Sequence, residues 1–410
     1  MTTYRGPKGT YDVLPPDSDW WRHARRRFDE LAERFGYGIV LIPTFEDTEV
    51  FARGVGSDTE VVEKQMYSFE DKGGRSLTLR PEATAGIVRA LIQKGGVQGR
   101  FKGAFWGDMF RYERPQKGRY RQFVQADVEY LGSDSAEADV EIIEFGYRFL
   151  EALDVPDVEV RLNSIGDPDD RKQHATALRD YLMSRFDELS DDSKRRVETN
   201  PLRVLDSKKD QAVVAEAPVP TGYLGDAARE HFDQVKAGLD ALDIPYVVDE
   251  HLVRGLDYYT RTVFEYVPIS YEAAQSSVGG GGRYDGLFEL LGGKPTPAVG
   301  LAMGLDRILL ASRSQDASER LDAFIVVTDE ALRSEARTLT SALRASGVRI
   351  DMTDTQRSVK AQFKEADRSR AGAAIVIGSE WADGDVTVKN LENGEQEVIA
   401  AKEIEGWLRA

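Results

Sequence analysis

Apolar residues return at intervals of three and four near the start of the chain, at Trp21, Ala24, Phe28, Leu31 and Phe35. That is the period of a helix with one buried stripe. Asp17 or Ser18 suits its start and Gly36 its end. The period then gives way to a short continuous run, Ile39 to Ile42, halted by Pro43, which predicts a buried strand. A further strand is predicted over Ser76 to Arg80. It runs into Pro81, whose fixed φ suits a first helical position, so a helix is expected over Pro81 to Lys94. Glu82 falls in its first turn, where a carboxylate complements the helix dipole.

Phe105 to Glu113 and Arg121 to Gly132 read as two strands joined by the basic loop Arg114-Pro115-Gln116-Lys117-Gly118-Arg119-Tyr120. Its Gly and Pro favour a turn, hence an antiparallel hairpin. Period two places Phe123, Gln125, Asp127 and Glu129 on one face of the second strand, and Val124, Ala126 and Val128 on the other. The polar face either meets water or lines a site, and Arg111, on a face with Met109 and Glu113, points into the same hairpin. From about 168 to 247 the chain becomes acidic and helical, with a break at Asn200 to Asp206, and reads as an insertion in a larger domain. Strand signals resume at about 260 to 267. From Leu321 onward strand, helix, strand, helix and strand alternate (Ala323 to Val327, Glu330 to Ala345, Val348 to Met352, Arg357 to Arg370, Ala373 to Ile377). This predicts a separate small α/β domain with a largely parallel sheet. Domains are therefore expected over 1–315 and 321–410, joined by the polar segment 312–320.

Length and charge narrow the picture. A chain of 410 residues favours two or three domains. A net charge of -17 opposes indiscriminate coating of nucleic acid or an anionic membrane, so any polyanion must be met by local basic patches. There is no cysteine, which excludes disulfides, thiolate catalysis and cysteine-zinc sites. His23, His174, His231 and His251 are scattered, so no metal site is expected. Glycine, proline and charge occupy the N-terminus where a signal peptide would be apolar, and no run reaches membrane-spanning length, so a soluble cytoplasmic protein is expected.

Candidate chemistry concentrates in Leu252-Val253-Arg254-Gly255-Leu256-Asp257-Tyr258-Tyr259-Thr260-Arg261-Thr262 and in Gly279-Gly280-Gly281-Gly282-Arg283-Tyr284-Asp285-Gly286. A glycine-flanked arginine, paired tyrosines and bare backbone suit a small-molecule site with a fixed cation. The glycine run lacks the Gly-Lys-Ser/Thr ending of a phosphate-binding P-loop. It reads instead as a strand on which a flat ligand can lie. Gly300-Leu301-Ala302-Met303-Gly304-Leu305-Asp306-Arg307 reads as a strand entering a helix, with Arg307 in its first turns. The loop cations Arg114, Lys117, Arg119 and Arg121 around Tyr120 serve either solubility or RNA contact. Arg357, Lys360, Lys364 and Arg368, spaced three, four and four, form a basic stripe. It is either an RNA surface or a solvated face paired with Glu365 and Asp367.

In order and content these segments resemble the histidyl-tRNA synthetases, a family of class II aminoacyl-tRNA synthetases. Phe110-Arg111-Tyr112-Glu113-Arg114 resembles motif 2, Gly300 to Arg307 resembles motif 3, and the first helix and strand resemble motif 1, which usually builds a dimer interface. The Arg254 segment and the glycine run are similar to the histidine-specific signatures. Lys8-Gly9-Thr10-Tyr11-Asp12-Val13-Leu14-Pro15 is similar to the family's opening, and Leu79 to Thr84 and Asn200 to Lys208 to further blocks. The resemblance implies an α+β class II catalytic domain on an antiparallel sheet flanked by helices, with a helical insertion, and a C-terminal α/β anticodon-binding domain. It implies ATP-dependent ligation of histidine to tRNA by a homodimer, with Mg²⁺ carried by ATP. Histidine contacts would be Glu82, Ala83, Thr84, Gln125, Glu129, Arg254, Tyr258, Tyr259 and Tyr284; ATP contacts would be Arg111, Glu113, Gly304 and Arg307. Arg254, Arg111 and Arg307 would be catalytic, and Arg114, Gln116, Arg119, Arg357, Lys360 and Lys364 would meet tRNA. Many relatives have histidine or glycine between the Gln125 and Glu129 positions, where this chain has Ala126-Asp127-Val128. Two other functions fit the scaffold: an inactive regulatory paralogue of histidine biosynthesis, expected to lack the C-terminal domain and the catalytic arginines, and an RNA-binding sensor with an eroded pocket.

Overall fold

The structure, a computed structural model, describes residues 4–56, 59, 61–198, 200–205, 207, 209–254, 258–270, 277–314 and 320–409. Gly255, Leu256 and Asp257 of the arginine signature, Asp206 and Lys208 of the block after Asn200, and positions 315–319 of the linker lie outside the described residues. The chain divides into two compact units, Met1–Ala317 and Ser318–Ala410.

The first unit is organised by an eight-stranded sheet. Its order is Gly38–Ile39, Phe101–Phe110, Gln122–Leu131, Ala298–Gly304, Gly279–Arg283, Thr260–Pro268, Val158–Ser164 and Tyr246–Val248. The inner pairings are antiparallel, and only the two edge strands pair in parallel. The strand Gln122–Leu131 sits between Phe101–Phe110 and Ala298–Gly304, with Gly304 opposite Gln125, Ala302 opposite Asp127 and Gly300 opposite Glu129. Its alternation follows the sequence pattern. Ala126, Val128 and Tyr130 join Phe28, Phe145, Phe149 and Phe264 in the main core under the helices Ser18–Phe35, Ala136–Ala152 and Asp226–Ala241. The opposite face carries Gln125, Asp127 and Glu129, all buried.

Several local expectations need correction. Ser18–Phe35 ends at Gly36 in a left-handed cap, as the pattern requires, but Trp20 is more deeply buried than Trp21. Only Gly38 and Ile39 of the next run form a strand, and Ile39 and Leu41 are 66% and 85% exposed. An apolar run marks a hydrophobic face without saying what covers it. The helix expected from Pro81 begins at Thr84. Glu82 precedes it, and its carboxylate accepts from the backbone N–H groups of Thr84 (2.8 Å) and Ala85 (2.9 Å), donors that a helix cannot satisfy internally. The hairpin strands span Phe101–Phe110 and Gln122–Leu131, so Arg111 and Glu113 belong to the loop.

Residues 168–247 are divided between two cores. Leu178, Leu182, Val197, Val204 and Val213 form a small cluster of their own, whereas Phe232, Val235 and Leu239 enter the main core and Tyr246–Val248 extends the main sheet.

The second unit has a five-stranded sheet ordered Ile350–Met352, Ala323–Val327, Ala373–Ile377, Asp385–Asn390 and Gln396–Ala400. The first three are parallel and the last two add antiparallel. Gln362 is buried and clamps the helix Val359–Arg368 to the sheet, accepting from Val327 N–H and donating to Val327 C=O, both at 2.8 Å. Arg357 lies before this helix, because Ser358 accepts from Ala361 N–H as its cap. The helical stripe is therefore Lys360, Lys364 and Arg368, all exposed.

Candidate active site

A cavity of about 640 Å³ opens over the polar face of the first unit's sheet. Glu82, Ala83, Thr84, Arg111, Glu113, Arg119, Gln125, Arg254, Tyr258, Tyr259, Tyr284, Gly304 and Arg307 line it, drawn from segments more than 200 positions apart. Glu129 lies beneath this lining. Its Oε1 accepts from the Thr84 hydroxyl at 2.6 Å and its Oε2 accepts a short hydrogen bond from the Tyr284 hydroxyl. A side chain at Gly300 would overlap Glu129 Oε2, so the glycine opposite it in the sheet is what allows the carboxylate to lie flat. Gly280 has a similar role, since a Cβ there would overlap the Phe264 carbonyl and come within 2.8 Å of Arg254 Nη1.

One end of the cavity is a buried cluster of acids and phenols. Tyr258 packs tilted on Tyr259 with ring centroids 4.7 Å apart and edge-on to Tyr284 at 5.5 Å. Burial raises the Glu129 carboxyl to about 8; the hydrogen bonds from Thr84 and Tyr284 oppose the rise and nearby Glu82 adds to it. Burial likewise pushes up Glu82, and pushes Asp127 well up with help from Glu129 and Glu82. A low-dielectric pocket with three carboxyls and few compensating cations is poised for a ligand that brings positive charge or N–H donors.

Guanidiniums line the rest of the cavity, with Arg254 reaching back to the phenols. Arg111 Nε donates to Pro81 C=O at 2.9 Å and its guanidinium lies over the Phe123 ring at 5.3 Å. Burial lowers its pKa, Glu82 opposes that and Arg307 adds to it. Arg307 donates to Gly118 C=O (3.3 Å) and Ser277 C=O (3.0 Å). Arg254 pairs with Glu265 at 2.5 Å and lies 5.8 Å from the Tyr259 ring centroid; burial alone would lower it, but Glu265 and then Tyr259 hold it up. Glu113 is ion-paired with Arg119. Three guanidiniums facing one cavity can clamp a polyphosphate.

Arg114 and Gln116 are exposed on the loop and are not among the cavity's lining, and Arg357, Lys360 and Lys364 belong to the second unit. Sequence reasoning missed Glu265, a lone carboxylate among Val263, Phe264, Tyr266 and Val267, and that isolation was the available signal. It also missed that Arg283 is fully buried, paired with Asp139 and donating to Ser133 C=O (2.9 Å) and Ser135 C=O (3.1 Å). Arg283 therefore anchors the glycine strand to the helix Ala136–Ala152, whereas Tyr284 next to it lines the cavity.

Residues 9–308 match the model of the family described as histidyl-tRNA synthetase, and residues 322–410 match the anticodon binding domain. The chain is 42% identical to the histidine–tRNA ligase of Rhodococcus jostii over 98% of this chain and 97% of that one. It is 44% identical to that of Mycobacterium marinum over 98% of each chain. The crystal structure of apo S. aureus histidyl-tRNA synthetase superimposes with a TM-score of 0.81 at 36% identity, covering 100% of both chains. Similarity of this extent reaches from the opening segment through the cavity to the last strands of the second unit, and the chain accordingly belongs to the histidyl-tRNA synthetase family.

Proposed function

We propose that the cavity activates histidine with ATP and passes the histidyl group to the 3′ end of its tRNA, which makes the protein a histidine–tRNA ligase. The observation that carries this reading is the juxtaposition of Arg111, Arg254 and Arg307, which line one cavity, with Glu129 buried beneath that lining and held by Thr84 and Tyr284. In the first step an oxygen of the histidine carboxylate attacks the α-phosphorus of ATP in line, forming histidyl-adenylate as pyrophosphate departs. In the second, a hydroxyl of the terminal tRNA nucleotide attacks the acyl carbon and AMP leaves. Neither step needs a side-chain nucleophile, so the residues act through position and charge.

Glu82, Thr84 and Gln125 hold the α-amino group in this reading, next to the backbone of Ala83. Gln125 Oε1 has no partner within the protein, which leaves it available as an acceptor. Glu129 with Tyr258, Tyr259 and Tyr284 reads the imidazole. An amino acid without ring N–H groups would leave the remaining acceptor capacity of these buried groups unmatched, which is a basis for rejection. Arg111 and Arg254 approach the α-phosphate from two sides, and Arg307 holds the γ-phosphate beside Glu113 and Gly304. In this reading Mg²⁺ enters with ATP as part of the substrate. The exposed Ile39 and Leu41 support a homodimer through motif 1. The Arg114 to Tyr120 loop, with Gln116 and Arg119, would meet the acceptor end of tRNA, and the helix with Lys360 and Lys364, preceded by Arg357, would meet the anticodon end. No helix among the described residues is long and apolar enough to cross a membrane. Independently of that, the ligase reading places the reaction in the cytoplasm.

ATP–pyrophosphate exchange with each amino acid in turn tests this. Exchange is expected with histidine alone and should fall about 100- to 1000-fold in Arg254→Ala, the effect of removing one well-aimed charge donor from a transition state. A folded protein giving no exchange with histidine would overturn the assignment.

A further inference from the structure

The opening segment Lys8 to Tyr11 has no part in the reaction as described, yet it is bound to the phosphate end of the cavity. Arg121 N–H donates to Gly9 C=O at 2.8 Å, and Arg121 Nη1 donates to Lys8 C=O at 3.4 Å. Gly9 has φ 86°, and a Cβ there would come within 2.9 Å of both Arg121 and Pro115, so the strand of chain lies directly on the loop. Tyr11 makes two further contacts. Its ring packs tilted against Tyr120 with centroids 4.6 Å apart, and its hydroxyl donates a short hydrogen bond to Asp306 Oδ1. Burial first, and the Asp306 carboxylate second, push the Tyr11 phenol up, so the hydroxyl stays the donor.

These contacts close a ring. Tyr11 holds Asp306; Asp306 adjoins Arg307; Arg307 donates to Gly118 C=O; Gly118 is two residues from Tyr120; and the Tyr120 ring packs back against Tyr11. Asp306 is itself buried at the start of the helix Leu305–Ala311, where the strand Ala298–Gly304 ends. Tyr120, Asp306, Gly118 and Arg307 all line the cavity.

We infer that Tyr11 is a positioning residue for ATP: it straps the Arg114 to Tyr120 loop to the start of the helix Leu305–Ala311 and thereby sets where Arg307 meets the terminal phosphates. The inference rests on the ligase reading of the cavity. Because Tyr11 touches only the phosphate end, its removal should weaken ATP binding without disturbing the amino-acid end. A residue that merely stabilised the fold would affect both substrates alike.

The test is steady-state ATP–pyrophosphate exchange with histidine for the full chain and for Tyr11→Phe, with Tyr11→Leu removing the ring as well. Tyr11→Phe keeps the ring contact with Tyr120 and loses only the hydrogen bond to a carboxylate. Its KM for ATP is expected to rise about tenfold, the scale of one charge-assisted hydrogen bond. KM for histidine should stay within about twofold and kcat should change less than KM for ATP, while Tyr11→Leu should shift KM for ATP further. An unchanged KM for ATP in Tyr11→Phe, or equal rises in both KM values, would overturn the inference while wild-type exchange left the ligase reading intact. Absence of histidine-dependent exchange in the wild type would instead remove the ligase reading and this inference with it. Tyr11→Phe is nearly isosteric, so the result stands even if Tyr11→Leu fails to fold.

Discussion

The two ends of the cavity solve opposite problems. At the end proposed to take the amino acid, Glu82, Thr84, Glu129, Tyr258 and Tyr284 are all buried, and both oxygens of Glu129 are already engaged by hydroxyls. At the end proposed to take the phosphates, Arg111, Arg119 and Arg307 are partly exposed, and they sit near the loop residues Arg114, Gln116 and Lys117, which are exposed. Discriminating an imidazole demands fixed, dry partners whose pairing cannot be replaced by water. Holding a triphosphate and then yielding to a tRNA end demands charge on a surface that solvent and polyanion can reach. Rigidity and accessibility are separated along one sheet, with the Gln122–Leu131 strand carrying the first and the loop before it the second.

This contrast can be broken most sharply at Gly300. Gly300→Ala forces a methyl into the Glu129 carboxylate, so kcat/KM for histidine in the exchange reaction is expected to fall about 100-fold or more, with the loss concentrated in the amino-acid term. Comparable losses for histidine and ATP would mean the two ends are not mechanically separate.

A smaller effect separates the ends by pH. The Glu129 carboxyl moves from 4.5 to about 8 on folding, so between those values the folded protein holds a proton that the unfolded chain has released. Its contribution to stability is then lost as pH rises through about 8, and Glu82 and Asp127, also pushed up by burial, act in the same direction. Thermal melting without ligand should therefore show Tm falling from pH 5 to pH 8, and Glu129→Gln should flatten that fall. A variant with the same slope as the wild type would show that Glu129 is already ionised in the free protein. The smallest effect is expected at the open end: Arg114→Ala combined with Lys117→Ala should raise KM for tRNA about three- to tenfold and make charging less sensitive to salt. An unchanged KM with an unchanged salt slope would remove the loop from the tRNA surface.

Much of this was legible residue by residue. Period two put Gln125, Asp127 and Glu129 on one face, and the sheet keeps them there because its other face is needed for the core under Ala136–Ala152. The first helix, its glycine cap and the alternation after Leu321 follow from local chemistry in the same way. Pro81 misled, because proline suits both a helix start and the turn before it, and what decided the start at Thr84 was the reach of the Glu82 carboxylate to two backbone N–H groups. Ile39 and Leu41 misled because apolar sequence marks a face to be covered and is silent about which chain covers it.

By itself the sequence determined the inventory: which segments alternate, where glycine replaces a side chain, which arginines and carboxylates are available, and the family that this order of motifs resembles. These depend on neighbours within a few positions, over which backbone geometry is nearly fixed. Only the tertiary structure decided the pairings across the chain: Glu129 with Thr84 and Tyr284, Arg254 with Glu265, Arg283 with Asp139, and Tyr11 with Asp306, 295 positions away. No local rule assigns such partners, because whether a charge is an anchor, a ligand contact or a solvated side chain depends on what burial brings against it.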